Sequence, residues 1–378
     1  MLERPPMPST KTTAAIEPRW RAGQRLFRLL AIGLLIVTIA YDTGANHWQQ
    51  PLQTLTLPWL VSFALVAVLG MAVVPLLRRL KTGQIIREDG PQSHLQKSGT
   101  PTMGGIFFVP TGLGLAFLWT GFAQGKLSPT VGAIALLVLW YAAIGWWDDW
   151  QVLRRQSNKG LSARLRLLLE GIGAALFCAW LVASDPTATV VTAPWGWVWP
   201  LGMAFIPLAI FVPMAEGNAL NLTDGLDGLA GGTGAIALLT LGIILSPYPD
   251  LQILAVVMSG ACLGFLWHNH HPARVFMGDT GSLALGAVLA GIGLASHHLW
   301  ELLIVSGLFF VESLSVIAQV LYYKATKGPD GVGKRLLRMA PLHHHFELGG
   351  WSELRIVRTF YGVVALLGLL CVLLQWLA

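Results

Sequence analysis

Apolar residues dominate long stretches of this chain, and polar residues gather in the short gaps between them. Eleven stretches read as helices buried in hydrocarbon: 27–42, 57–77, 104–122, 130–147, 165–183, 200–215, 226–246, 251–267, 281–296, 301–322 and 356–377. About 30 Å of hydrocarbon is crossed at about 1.5 Å per helical residue, so roughly 20 apolar residues make one span. Several stretches reach that length only with neighbouring small or aromatic residues. Backbone in lipid must satisfy its own hydrogen bonds, and the polar–apolar alternation of a membrane barrel is absent. The fold class expected is all-α, a polytopic transmembrane helical bundle.

Composition agrees: 54% of the 378 residues are hydrophobic and 12% charged, against about 25% charged in soluble domains. The basic run RWRAGQRLFR precedes the first span, but no small-residue cleavage site follows it, so 27–42 reads as a retained anchor. Residues 1–26 read as a disordered cytoplasmic tail, their first part rich in Pro, Ser and Thr. The segments after spans two, four, eight and ten carry Arg78, Arg79, Lys81, Arg87 and Lys97, then Arg154, Arg155, Lys159 and Arg164, then Arg274, then Lys324, Lys327, Lys334, Arg335, Arg338 and Arg355. The alternate connections contribute only Lys126. This asymmetry puts the N-terminus in the cytoplasm and the C-terminus outside. The net charge of +6 thus reflects topology and attraction to membrane lipid or phosphate, not nucleic-acid binding. Cys178, Cys262 and Cys371 lie inside spans without metal-ligand spacing and read as packing residues.

Unusual polar residues collect in five segments on the cytoplasmic side. KSGTPTMGG (97–105) joins a cation, hydroxyls and glycines at a helix start, a pattern suited to anions. GWWDDW places Asp148 and Asp149 side by side, and two such carboxylates repel unless a proton or a hard cation such as Mg²⁺ intervenes. In NALNLTDGLDGLAGG (218–232), Asn218, Asn221, Asp224 and Asp227 recur every third position, forming one slowly drifting polar row if helical. A helix cap needs one such residue, not four. WHNHHPARVFMGDTGSLALG sets Asp279 between glycines, ahead of Thr280 and Ser282; His268, His270 and His271 there read as interfacial histidines. GPDGVGKRLLRMAPLHHHFELGGWSE lacks the Ser or Thr and the preceding strand of a P-loop. Its His343, His344 and His345 point about 100° apart if helical, which suits several contacts better than one metal. Glu312, Ser315 and Gln319 share a face inside span 301–322. The convergence implies a substrate with a phosphate head and an apolar tail.

Together TPTMGG, DDW, NLTDGLDGLA, FMGDTGSLALG and PLHHHFE resemble the phospho-N-acetylmuramoyl-pentapeptide transferases, from about residue 57 to the C-terminus and in that family's order. PLHHHFE favours this branch over the sister sugar-1-phosphate transferases. The resemblance implies a transferase domain over 57–378, with 27–42 added to the family's ten spans, in the inner membrane and dimeric. It implies transfer of phospho-MurNAc-pentapeptide from UDP-MurNAc-pentapeptide to undecaprenyl phosphate, giving lipid I and UMP with Mg²⁺. Asp148, Asp149 and Asp279 match the family's catalytic acids, with Asp279 and Asp148 as metal ligands. Lys97, Thr102, Asn218, Asn221, Asp224, Asp227, Asn269, Phe276, Gln319 and the three histidines match nucleotide- or substrate-binding positions. The chain departs from the family at DDWQVL, where Val152 replaces a common lysine, and at Arg164, Arg166 and Glu170, where lysines and a glutamine are usual.

Overall fold

The computed structural model describes residues 19–80, 97, 99–155, 160–193 and 196–377. Residues 1–18 of the expected tail, with Lys81, Arg87, Ser98 and Lys159, lie outside the described residues. In chain order the helices are α1 (Arg19–Gly44), α2 (Thr56–Arg79), α3 (Gly105–Gln124), α4 (Pro129–Arg155), α5 (Ala163–Ser184), α6 (Phe205–Thr223) and α7 (Leu229–Ile244). Then follow α8 (Pro249–Asn269), α9 (Gly278–Ala295), α10 (Leu299–Val305), α11 (Gly307–Ala325), α12 (Leu342–Glu347) and α13 (Glu353–Leu377). A small antiparallel hairpin, β1 (Val190–Thr192) with β2 (Val198–Pro200), pairs Val191 with Trp199 between α5 and α6.

Ten of these helices are long and apolar enough to cross a membrane by length and composition. This makes the chain a multi-pass helical membrane protein. The one expected stretch not among these ten, 226–246, is the 16-residue α7, only about 24 Å long. Nearly all of α7, α8 and α9 is buried, so these three form the centre. Leu136, Leu168, Phe211 and Leu366 on the surrounding helices are exposed, the apolar outer surface of a bundle bathed in lipid.

Two expectations are corrected. Span 301–322 is not one helix: α10 stops at Val305 and α11 starts at Gly307. A Ser306–Gly307 pair sits at the break, where weak helix formers allow a kink. The segment 19–26, expected as tail, is the first part of α1. It packs against the chain: a Cβ at Gly23 would overlap the His271 carbonyl, and Phe27 meets the Trp267 ring edge-on at 5.6 Å. At its other end Asp42, fully buried, accepts the Leu55 and Thr56 amides at 2.8 Å each and so caps α2.

Hydrogen bonds between helix ends sort the bundle into two poles. One pole joins the C-termini of α4, α6 and α8 to the N-termini of α5, α9 and α13. All five polar segments of the sequence lie there. At the opposite pole Ser128 donates to Asp250 at 2.6 Å, and His297 meets Asp185 at 2.8 Å.

Candidate active site

The site is built on the first turn of α9. Asp149, near the end of α4, is buried and accepts three hydrogen bonds from that turn: the Asp279 amide at 3.1 Å, the Thr280 amide at 3.0 Å and the Thr280 hydroxyl at 2.6 Å. It therefore acts as a helix cap supplied by another helix, its charge facing the positive end of the α9 dipole. Gly278 makes room for it. Its φ is +72°, and an added Cβ would sit 2.6 Å from Asp149 Oδ2 and 2.9 Å from Thr102 Oγ1. Backbone bonds then tie the first polar segment to this turn: Phe276 N donates to Pro101 O at 2.8 Å, and Gly104 N to Phe276 O at 2.9 Å. Thr102 and Phe276 are brought beside Asp279 in this way.

With the Asp279 backbone fixed, two partners hold its carboxylate. Arg166 Nη1, from α5, donates to Oδ2 at 2.8 Å, and Asn221 Nδ2, from α6, to Oδ1 at 2.8 Å. The remaining donors of Arg166 reach Glu170 Oε1 at 3.1 Å, Asn218 Oδ1 at 3.2 Å and Asn221 Oδ1 at 2.9 Å. Asn218 Nδ2 closes the circuit on Glu170 Oε2 at 2.6 Å. A planar guanidinium serves four acceptors at fixed angles, which an ammonium cannot do. Arg166 and Glu170, where the resemblance leads to an expectation of lysine and glutamine, are thus partners of each other.

Asp148, the neighbour of Asp149 on α4, has a different support. Its Oδ1 accepts the Leu161 amide at 2.8 Å, and Asp279 lies near enough for the two charges to repel. Among the described residues Asp148 Oδ2 has no hydrogen bond, and the Asp279 side chain is a quarter exposed at 25%. Asp224 follows the last turn of α6; burial, then the charges of Asp279 and Asp227, push its carboxyl up to about 7. Such a cluster of repelling carboxylates at a pole open to water is the electrostatic signature of a cation or proton site.

Asp227 faces a second cluster, because α6 ends at Thr223 and the polar row does not continue as helix. Lys97 Nζ donates to Asp227 Oδ1 at 2.7 Å and to Glu353 Oε1 at 2.6 Å, and His271 Nδ1 meets Asp227 Oδ2 at 2.9 Å and Glu353 Oε2 at 3.2 Å. Asp227, His271 and Glu353 offer ligand atoms within 4.8 Å of one another. The Lys97 ammonium already supplies the cation these carboxylates need, so the cluster is a latch joining four segments. Burial disfavours the Asp227 carboxylate, but bonds from His271 and Lys97 outweigh it and hold its pKa low. Burial likewise works against the His271 imidazolium, yet Asp227 and Glu353 push it up to about 9. Asn269 supports the same corner, accepting from Gly228 N at 3.0 Å and donating to Val275 O at 2.9 Å.

The histidine run is divided. His343 is fully buried, with Nδ1 at 2.9 Å from Glu312 Oε2 and its far edge against Gly225 in the loop that carries Asp224. His344 stands 3.2 Å from Glu347, and His345 accepts the Arg338 amide at 3.1 Å. Gln319 accepts the Leu336 and Leu337 amides at 3.0 and 2.8 Å, bracing the loop before α12. It lines a cavity of about 510 Å³ with Tyr323, Lys324, Lys327 and Arg335. Ser282, noted beside Asp279 in the sequence, accepts from Asn221 at 3.0 Å; Glu353 was not singled out by sequence. Glu353 begins a span and looks like an ordinary first-turn acid; its role shows only in the contact with Lys97.

Comparison with known proteins identifies the family. A family model described as glycosyl transferase family 4 matches residues 131–297, and one described as phospho-N-acetylmuramoyl-pentapeptide-transferase signature 1 matches residues 97–109. The phospho-N-acetylmuramoyl-pentapeptide-transferase of Microcystis aeruginosa is 57% identical over 346 residues, 91% of this chain and 94% of the relative. The proteins of that name from Trichormus variabilis and Acaryochloris marina are 56% and 53% identical, covering 93% and 95% of this chain and 95% and 96% of their own. The chain therefore belongs to the phospho-N-acetylmuramoyl-pentapeptide-transferase family of membrane enzymes.

Proposed function

We propose that the protein transfers phospho-MurNAc-pentapeptide from UDP-MurNAc-pentapeptide to undecaprenyl phosphate, releasing UMP and leaving lipid I in the membrane. The observation that carries this reading is the Asp148–Asp279 pair, held apart on separate supports at the pole where every polar segment meets. The basic segments at this pole support a cytoplasmic orientation by the positive-inside rule; placement in the inner membrane and a homodimeric state are carried over from the family resemblance alone.

The donor set also fits Mg²⁺. Asp148 Oδ2 is free of hydrogen bonds among the described residues, and the Asp279 carboxylate is partly open. A hard cation favours such oxygens together with substrate phosphates. Held chiefly by Asp279, with the Asp148 charge beside it, Mg²⁺ would neutralise charge on the diphosphate as UMP departs, which leaves Asp148 Oδ2 open to serve as base.

The chain's own residues do the rest. Asp148 takes the proton of the lipid phosphate. A phosphate oxygen then attacks the β-phosphorus of the nucleotide sugar, a new P–O bond forms, and the bond to UMP breaks with its electrons leaving on UMP. No covalent enzyme intermediate is required, because the two substrates carry both the nucleophile and the leaving group. Arg166 and Asn221 keep Asp279 from rotating; Asp149 holds the turn that carries it. Phe276 and Thr102, beside this turn, are placed to meet the nucleotide. Lys97, Asp227, Asn269, Gln319 and His343 position loops around it.

The test is UMP release by the purified protein in detergent with undecaprenyl phosphate and Mg²⁺, given either UDP-MurNAc-pentapeptide or UDP-GlcNAc. Release with the muramoyl donor alone, abolished by Asp279→Asn, is expected. Release with UDP-GlcNAc would overturn the substrate assignment.

A further inference from the structure

A second cleft opens away from the acidic site, between the start of α1 and the segment that follows α8. Its volume is about 380 Å³, and Trp20, Phe27, Arg28, Trp267, His270 and Arg274 line it. Phe27 forms an apolar floor, edge-on to Trp267 at 5.6 Å and 5.6 Å from the His270 ring. Arg274 is steadied by a bond from Nη2 to the Trp267 carbonyl at 2.8 Å. No carboxylate lines the cleft, and neither arginine forms a salt bridge among the described residues. Burial, then the nearby Arg78 charge, works against the Arg274 cation. Arg28 and Arg274 thus line the cleft, with the Arg78 charge nearby, and meet no counter-charge among the described residues.

The setting narrows the anion. The cleft lies where two apolar helices end, level with tryptophans of the kind that mark membrane–water interfaces. Leu29 and Ile32 continue outward along α1 as exposed apolar surface, a track on which an acyl chain would lie. A water-soluble phosphate has no use for that track. Basic pockets between spanning helices hold anionic lipid headgroups. We infer that the cleft between α1 and 267–274 binds the phosphodiester headgroup of an anionic phospholipid, through Arg28 and Arg274. Because the α1–His271 contact borders the Lys97–Asp227 latch, the bound lipid also fixes the N-terminal helix against the enzyme body.

Native mass spectrometry of the full chain, stripped of lipid in detergent and offered equal amounts of phosphatidylglycerol and phosphatidylcholine, tests this. The wild type is expected to retain phosphatidylglycerol preferentially. The pair Arg28→Ala with Arg274→Ala should weaken that binding about thirty-fold, and the pair of lysine replacements should keep most of it. Arg28→Gln alone, on an exposed helix face, should still lose about five-fold if the alanine pair does not fold. Three results would overturn the inference: unchanged binding in the alanine pair, equal retention of phosphatidylcholine, or displacement by inorganic phosphate. Displacement by undecaprenyl phosphate would overturn it as well, marking the cleft as a substrate site.

Discussion

Arg166 and Glu170 should behave as one unit in a double-mutant cycle. Glu170 is fully buried, and its two oxygens are met only by Arg166 Nε at 3.1 Å and Asn218 Nδ2 at 2.6 Å among the described residues. Removing one partner of a buried ion pair costs about 3–5 kcal/mol. Arg166→Lys keeps the charge but cannot serve Glu170, Asp279 and two amide oxygens together, so about 1–3 kcal/mol is lost to unsatisfied acceptors. Asp279 then turns more freely, and kcat/KM should fall about 10- to 100-fold, the usual range for a residue that orients a metal ligand. Glu170→Gln alone should also reduce activity, because Arg166 loses a counter-charge and pulls harder on Asp279. The double variant carries the lysine and glutamine that the family resemblance implies, and should recover part of the loss. A coupling of roughly 1–2 kcal/mol is expected, about 5- to 30-fold in kcat/KM for UMP release. Additive effects, within about 0.5 kcal/mol, would show that the two residues do not compensate each other.

Two further outcomes follow from the same geometry. Asp149→Asn replaces one of the two acceptor oxygens by an amide donor facing at least one backbone donor on α9, so it should lower the thermal midpoint in detergent by the equivalent of about 1–3 kcal/mol, with kcat falling in parallel. Asp279→Asn, on a partly open carboxylate, should abolish activity with a smaller change in midpoint; the reverse order would mean that Asp149, not Asp279, faces the substrate. The latch predicts a pH dependence. His271 is raised from 6.5 to about 9, so its stabilisation, about 3 kcal/mol, is fully present below pH 6.5 and is lost as pH rises through about 9. The difference in midpoint between wild type and His271→Gln should therefore shrink over that window; a difference that grows with pH would contradict the assigned charges.

Much of this was legible in the sequence, and the reasons are specific. The spans follow from apolar length, and the active pole from basic segments and from Asn and Asp where a greasy chain has no other use for them. Asp148, Asp279, Asn218 and Asn221 meet because α4 and α6 end, and α9 begins, at one level. Spacing could not show that Asp149 caps a helix 130 residues away in sequence, nor that Lys97 finds Asp227 and Glu353. The three-residue period of the polar row suggested one face; the end of α6 at Thr223 sends Asp227 to another cluster. The break at Ser306 was hidden because hydropathy runs through it unchanged. Arg166 and Glu170 stood out only as departures, since their meaning lies in a contact between them.

Mn²⁺ binding, read by electron paramagnetic resonance on the purified protein with UDP-MurNAc-pentapeptide present, tests the account's central claim most directly. The Asp148–Asp279 site predicts that Asp279→Asn and Asp148→Asn each lose the bound-metal signal, while Glu353→Gln keeps it because Lys97 already fills that cluster. Loss of the signal in Glu353→Gln, with binding intact in Asp279→Asn, would move the metal to Asp227, His271 and Glu353 and contradict the assignment.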